Sequence, residues 1–160
     1  MKWFKKKDVK PVMESKPRRV EIFAFEYPSK VILAWAKAIE GDANFLNFLK
    51  NNGYEELAIA THAIYLEPAA RDWLTESGFA HLMAMIHGAE GNETAQKWLL
   101  ANKFKLLYHM ARAIDHEEED IQWVRENASV EFQLLTRSIQ SVKDRIEENH
   151  NDIHSFNKDI

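Results

Sequence analysis

The sequence predicts an all-α fold, an α-solenoid of about 4.5 helical-hairpin repeats with a period of 25 residues. Four segments, beginning at Asn47, Asp72, Lys97 and Gln122, align column by column. Within each unit apolar residues recur at spacings of three and four, which is the helical period. Glycines fall in the middle of units and between them, where helices end.

The aligned columns indicate how the units stack. One aromatic column consists of Phe48, Trp73, Trp98 and Trp123. A second consists of Tyr54, Phe79 and Phe104 and is interrupted by Ser129. A column of small residues consists of Ala38, Ala63, Gly88, Ala113 and Ser138. Because small side chains let a neighbouring helix approach closely, these columns predict tight stacking of successive units.

The punctuation between the columns predicts two short helices per unit. The first helices are expected near residues 42–52, 67–77, 92–102 and 117–127. The second helices are expected at 29–40, 54–65, 79–90, 104–115 and from 129 onward. Asp42 and Asn92 stand where helix N-caps are needed. Helices this short are marginal alone in water, so their stability must come from stacking.

One unit resembles a known family. The stretch from Leu82 to Phe104, LMAMIHGAEGNETAQKWLLANKF, resembles an ankyrin repeat in its Ala-rich inner helix, its Gly turn and the paired Trp98 and Leu99 of its outer helix. The resemblance covers roughly residues 31–142, with units about eight residues short and no Thr-Pro-Leu-His opening. It implies an ankyrin-like stack without β-hairpin fingers, or another short helical-hairpin solenoid, that recognises proteins without catalysis.

Charge divides the chain into a basic start and an acidic body. Residues 1–30 carry nine Lys or Arg against four Asp or Glu, net +5, and the remaining residues carry twelve against twenty-one, net −9. We expect a basic flexible arm at 1–18, a repeat domain at 19–142 and a capping or coiled-coil helix at 143–160. The first unit is atypical, and Val20 to Phe25 fits either an extended segment or a modified capping unit.

The basic arm places aromatic residues next to lysines. Trp3 and Phe4 precede Lys5, Lys6 and Lys7. Three interpretations stay open: a solubilising tail, weak contact with an anionic membrane surface, or contact with nucleic acid.

A stripe of mostly apolar residues at heptad spacing ends the chain. It consists of Ile139, Val142, Ile146, Asn149, Ile153, Phe156 and Ile160. Such a stripe either packs back on the last repeat as a cap or pairs with a second copy to form a homodimer.

A column of basic or titratable residues is the candidate binding site. Lys37, His62, His87, Arg112 and Arg137 occupy the same place in successive units. Aligned in a stack, they would form a ridge for an acidic segment of a partner. The alternative is structural, because cations in the last turn of a helix interact favourably with its dipole.

No motif of the sequence predicts catalysis. There is no cysteine, nucleophile elbow or phosphate-binding loop. The acidic run from His116 to Asp120 fits a solvated helix start, and the spacing of His150 and His154 alone is a weak indication of metal. We therefore expect no enzyme activity, no cofactor and no metal.

These features together predict a cytoplasmic binding protein. No apolar run approaches the eighteen or so residues that span a bilayer, and the N-terminus lacks the apolar core of a signal peptide. The leading hypothesis is a protein–protein interaction scaffold, adaptor or inhibitor that presents an extended groove, with a basic partner favoured by the acidic body. The alternative is a peripheral membrane or nucleic-acid-associated module docked by its basic arm.

Overall fold

The computed structural model of the chain describes residues 22–156, with side chains up to residue 152. These residues form nine α-helices and no strand. The helices are α1 (Ser29–Ile39), α2 (Ala43–Asn51), α3 (Glu55–Ile64), α4 (Pro68–Glu76), α5 (Ala80–Ala89), α6 (Glu93–Ala101), α7 (Lys105–Ile114), α8 (Glu118–Asn127) and α9 (Val130–Phe156). The ends of α1 to α8 and the start of α9 agree with the predicted bounds to within one residue, and the predicted all-α helical-repeat fold is confirmed.

Successive helices alternate between an inner and an outer layer. The inner helices are α1, α3, α5, α7 and α9, and the outer helices are α2, α4, α6 and α8. The inner helices α3 and α5 are buried around most of their circumference, as the consecutive buried residues 57–61 and 81–83 demonstrate. Each outer helix buries only one or two positions, among them Leu49, Leu74, Leu99 and Val124. The aromatic residue before each of these four is half-buried against the core.

The turn from each inner helix to the following outer helix is a Schellman motif. Its six-to-one hydrogen bonds join the backbone N–H of Asp42, Glu67, Asn92 and Glu117 to the carbonyl oxygens of Lys37, His62, His87 and Arg112, at 3.0–3.1 Å. The donating residue is also the N-cap of the next outer helix. One residue therefore ends one helix and begins the next, which keeps the repeat length constant.

Both kinds of turn contain a residue in the left-handed backbone region. Residues with positive φ recur at 25-residue intervals, as Gly41, Leu66, Gly91 and His116 in one turn and as Gly53, Gly78 and Lys103 in the other. For a residue other than glycine this conformation costs about 1–2 kcal/mol. Three of these seven positions therefore carry a side chain that the turn itself does not favour.

The first and last helices pack against each other and close the stack. Among the helix pairs, α1 and α9 make the most extensive contact, and α9 also packs on α7. Ser29 Oγ donates to Glu131 Oε1 at 3.1 Å, and Ser138 Oγ donates to Glu40 Oε1 at 2.8 Å. The described inner helices thus contact one another in a cycle, so the first unit meets the last.

The segment before α1 runs across the N-terminal ends of the inner helices. Residues 22–28 are not helical, which agrees with the extended interpretation for the described part of the first unit. Phe23 donates its backbone N–H to the carbonyl of Gly78 at 3.2 Å, and its ring stacks on Phe79 at 4.9 Å. Tyr27 donates to Glu56 at 2.8 Å. Burial and the neighbouring Glu56 carboxylate raise the Tyr27 pKa well above its ordinary value.

Candidate functional site

The basic column lies in the last turns of the inner helices α1, α3, α5 and α7 and in the first third of α9. Lys37 Nζ lies 3.0 Å from Glu40 Oε2, and His62 Nδ1 lies 3.2 Å from Glu67 Oε2. His87 is half-buried, and Arg137 is exposed. Because α9 packs on α1, the column ends meet: Glu40 bonds both Lys37 and the neighbour of Arg137, Ser138.

The fourth member of the column, Arg112, is held within its own unit. Its Nε donates to Asp120 Oδ2 at 2.8 Å, and the other oxygen of Asp120 lies 2.7 Å from His109 Nδ1. The hydrogen bond with Asp120 raises the Arg112 pKa. Asp120 is buried, so the expectation that this acid is part of a solvated helix start is wrong. Lys37, His62 and Arg112 therefore already have carboxylate partners within the chain. This argues against the hypothesis that the column binds an acidic segment of a partner.

A recess lies at the C-terminal ends of α3 and α5, against α9. This recess, the Leu66 groove, has a volume of about 480 Å³. It is lined by Ile64, Leu66, Ile86, Ala89, Glu90, Ile139, Lys143, Ile146, Glu147, His150 and Asn151. Six of these eleven are aliphatic, and Glu90, Lys143 and Glu147 are the charged ones. Mostly apolar walls with a few polar groups, in this range of volume, are typical of binding sites.

Leu66 is the residue of the groove that folding explains least. It occupies the left-handed turn position, with φ +68°, where the equivalent residues are Gly41, Gly91 and His116. Its side chain is 50% exposed. Of the two other non-glycine residues in left-handed turns, His116 has a hydrogen-bond partner, since its Nε2 lies 2.8 Å from Asp144 Oδ1. Leu66 thus combines backbone strain with exposed apolar surface, two costs that point to a role in binding.

The acidic side chains of the groove are more exposed than its lysine side chain. Lys143 Nζ lies 3.0 Å from Asp115 and 3.6 Å from Glu147. The Lys143 side chain is only 11% exposed, whereas that of Glu147 is 58% exposed. Glu90, on the facing wall, accepts two hydrogen bonds from Arg71, whose side chain is mostly buried. The C-terminal ends of α3 and α5 add the negative ends of two helix dipoles.

At the opposite end of the inner helices lies a buried histidine. His81 has no exposed surface, and its ring stacks on Phe104 at 4.9 Å, with Phe25 and Phe79 further out at 6.2 Å. Neither ring nitrogen has a hydrogen-bond partner within the described part of the chain. Burial lowers the His81 pKa from 6.5 to about 4, so the imidazole is neutral at pH 7.

The described residues contain no cluster of metal-ligating side chains. No group of three or more His, Asp or Glu in this part of the chain is placed to hold a metal ion. A second, smaller cavity of about 130 Å³ lies between α7, α8 and α9, beside Arg137. The groove is therefore the candidate site.

Two of the sequence-based hypotheses concern residues outside the described part. Trp3, Phe4, Lys5, Lys6 and Lys7 precede residue 22. Ile153, Phe156 and Ile160, which end the heptad stripe, come after residue 152, so their side chains lie outside the described part. Earlier in that stripe, Ile139 and Val142 are buried and Ile146 is half-buried.

Sequence reasoning missed the Leu66 groove because its walls come from three helices that are far apart in the chain. One feature of the repeat pointed to it. At the positions equivalent to Gly41 and Gly91 the alignment places Leu66, a large apolar residue where a turn favours glycine.

The described helices include none that is both long and apolar enough to cross a membrane. Comparison with protein-family models, with curated proteins and with solved structures gives no match for this chain.

Proposed function

We propose that this chain is a non-enzymatic protein-binding scaffold that takes apolar side chains of a partner protein into the Leu66 groove. The observation that carries the proposal is Leu66 itself, which holds a strained turn conformation and half-exposes an aliphatic side chain at an apolar recess. Folding alone favours glycine at this position. A partner that covers the side chain would recover the free energy that its exposure costs.

The groove is a better candidate for partner binding than the basic column. Three members of the column already bond carboxylates of their own or the adjacent turn. The groove offers apolar area, which is the usual source of affinity in a protein–protein interface. In this proposal the basic column serves mainly to hold the turns between inner and outer helices.

The proposal includes the ankyrin-like relationship. It is supported by paired antiparallel helices of nine to eleven residues that repeat every 25 residues and by the absence of strands from residues 22–156. Against a simple ankyrin stack, α9 closes on α1, so we place recognition at one end of the inner helices rather than along an extended concave face.

A peptide selection tests the proposal. A displayed library of helical peptides is selected on the full-length protein, and the winners are measured against Leu66→Asp. We expect the selected peptides to lose at least about tenfold in affinity, since one buried aliphatic anchor contributes more than about 1.4 kcal/mol. Melting temperatures of both proteins establish that the variant is folded.

Leu100→Asp is the matched control. Leu100 lies on α6, away from the groove, and is 51% exposed, as Leu66 is 50% exposed. Its substitution introduces the same charge and should leave peptide affinity unchanged. If selection yields no peptide whose binding depends on Leu66, or if both substitutions weaken binding equally, the groove is not the binding site.

A further inference from the structure

The wall that α9 contributes to the Leu66 groove has the periodicity of a helix-binding surface. Four of its six lining residues, Ile139, Lys143, Ile146 and His150, are spaced by four, three and four, which places them on one face. Eleven residues of α-helix span about 16 Å, or three turns. A second helix with apolar residues at equivalent spacing would pack along this face, opposite the ends of α3 and α5.

The far end of that wall is open. Residues 147–152 of α9 are all exposed, whereas Ile139 and Val142, nearer the body, are buried. Ile146 lies at the boundary and is half-buried. A partner helix seated beside Ile146 would therefore extend the covered part of α9 by one to two turns without displacing any helix of the fold.

The charges around the groove favour a cationic occupant. Lys143, which lines the groove, and Arg71, which pairs with the lining residue Glu90, are largely buried and paired with carboxylates. The carboxylate of Glu147 remains mostly exposed, and Glu90 is partly exposed on the facing wall. The C-terminal ends of α3 and α5 also line the groove, and their dipoles contribute further negative potential. Anionic groups therefore flank the apolar floor on both sides.

We propose that the occupant of the Leu66 groove is an amphipathic helix of a partner protein that carries Lys or Arg beside its apolar stripe. This inference rests on the proposed function. Apolar anchors at i, i+3 or i+4, and i+7 enter the groove, and cations beside them face Glu147 and Glu90. The acidic body of the chain, net −9 over residues 31–160, steers such a helix toward the site.

Charge variants of one peptide test the inference. The best peptide from the selection is synthesised with Lys, Gln or Glu at the positions flanking its apolar stripe, and its binding to the full-length protein is measured by fluorescence anisotropy. We expect the Lys peptide to bind about tenfold more tightly than the Glu peptide at ~50 mM salt, and less than about threefold more tightly at ~0.5 M salt.

Glu147→Gln tests the assignment to a residue. It should weaken the Lys peptide about threefold and leave the Gln peptide unchanged. Glu148→Gln is the matched control, because Glu148 is an exposed neighbour on α9 that does not line the groove. If the three peptides bind equally, or if both substitutions act alike, the cationic inference is wrong while the groove function stands. If selection gives no Leu66-dependent peptide, the function itself fails.

Two other occupants are outcomes of the same measurements. If the chain's own basic arm fills the groove, changing Lys5, Lys6 and Lys7 to Glu in the full-length chain should weaken the competition between the arm and the peptide. A tenfold gain in peptide affinity in that variant would show that the occupant is the arm and not a partner helix. If sedimentation shows a dimer and Ile146→Asp abolishes it, the occupant is a second copy of the chain.

Discussion

Acid should destabilise the protein through His81. Its neutral ring is enclosed by Phe25, Phe79 and Phe104, and burial lowers its pKa from 6.5 to about 4. The folded state therefore binds this proton less readily than the unfolded state does. The stability due to the neutral ring is complete above pH 6.5 and is lost as the pH falls through that value toward 4. The loss is about 2 kcal/mol at pH 5 and about 3 kcal/mol at pH 4.

His81→Leu isolates this effect. Leucine is the natural replacement because Leu106 occupies the equivalent position one period later. At pH 7 we expect the variant to be about 1–2 kcal/mol more stable, since two unpaired buried nitrogens are removed. At pH 5 the gap should widen by about 2 kcal/mol, because only the wild-type protein then pays for excluding a proton from its folded state.

Urea unfolding followed by circular dichroism at pH 7, 6 and 5 measures both proteins. Bonds from Ser138 and Lys37 lower the Glu40 pKa, and bonds led by that from Ser129 lower the Glu131 pKa. Protonation of these carboxylates in acid also lowers the stability of the protein. Because they titrate in both proteins, their contribution cancels in the stability difference between variant and wild type. A gap between variant and wild type that is the same at pH 7 and pH 5 would refute the reasoning.

Two further predictions concern the turns and the buried ion pair. Lys103→Gly should stabilise the protein by about 0.5–1 kcal/mol, because it relieves the strain of a positive φ. Gly53→Ala should destabilise it by about 1 kcal/mol through backbone strain alone, since an added Cβ meets no atom within 4 Å. Equal effects of the two substitutions in urea unfolding would contradict this. Asp120→Asn should cost about 2 kcal/mol, since it leaves the partly buried Arg112 without its 2.8 Å carboxylate partner, and Glu117→Gln, 3.8 Å from the same guanidinium and exposed, should cost less than about 0.5 kcal/mol. A loss of similar size in both variants would show that burial of Asp120 is unimportant.

The sequence by itself determined the repeat and its helix bounds. Each turn depends on local chemistry, such as the Asp42 side chain that accepts from the N–H groups of Asn44 and Phe45. Each helix depends on apolar spacing within ten residues or so. These determinants lie close together in the chain, and their fourfold recurrence reinforced them. The bounds therefore followed to within one residue.

The candidate site was much less accessible from the sequence. The basic column was visible because it repeats, yet repetition reflects the shared role of these positions in every turn. Leu66 was visible only as an exception to glycine in one column. Its relation to Ile146 and Glu147 depends on contacts between residues about 80 apart, which no local pattern encodes.

Only the tertiary structure decided where the stack ends and what its ends contact. The heptad stripe of α9 favoured a cap and left a second copy open, because apolar spacing specifies a buried face without specifying its neighbour. In the fold α9 packs on α7 and α1. The same packing buries Ile139 and Val142 and leaves the groove beside Ile146. Local spacing thus determined the units, and long-range packing determined the surface available for binding.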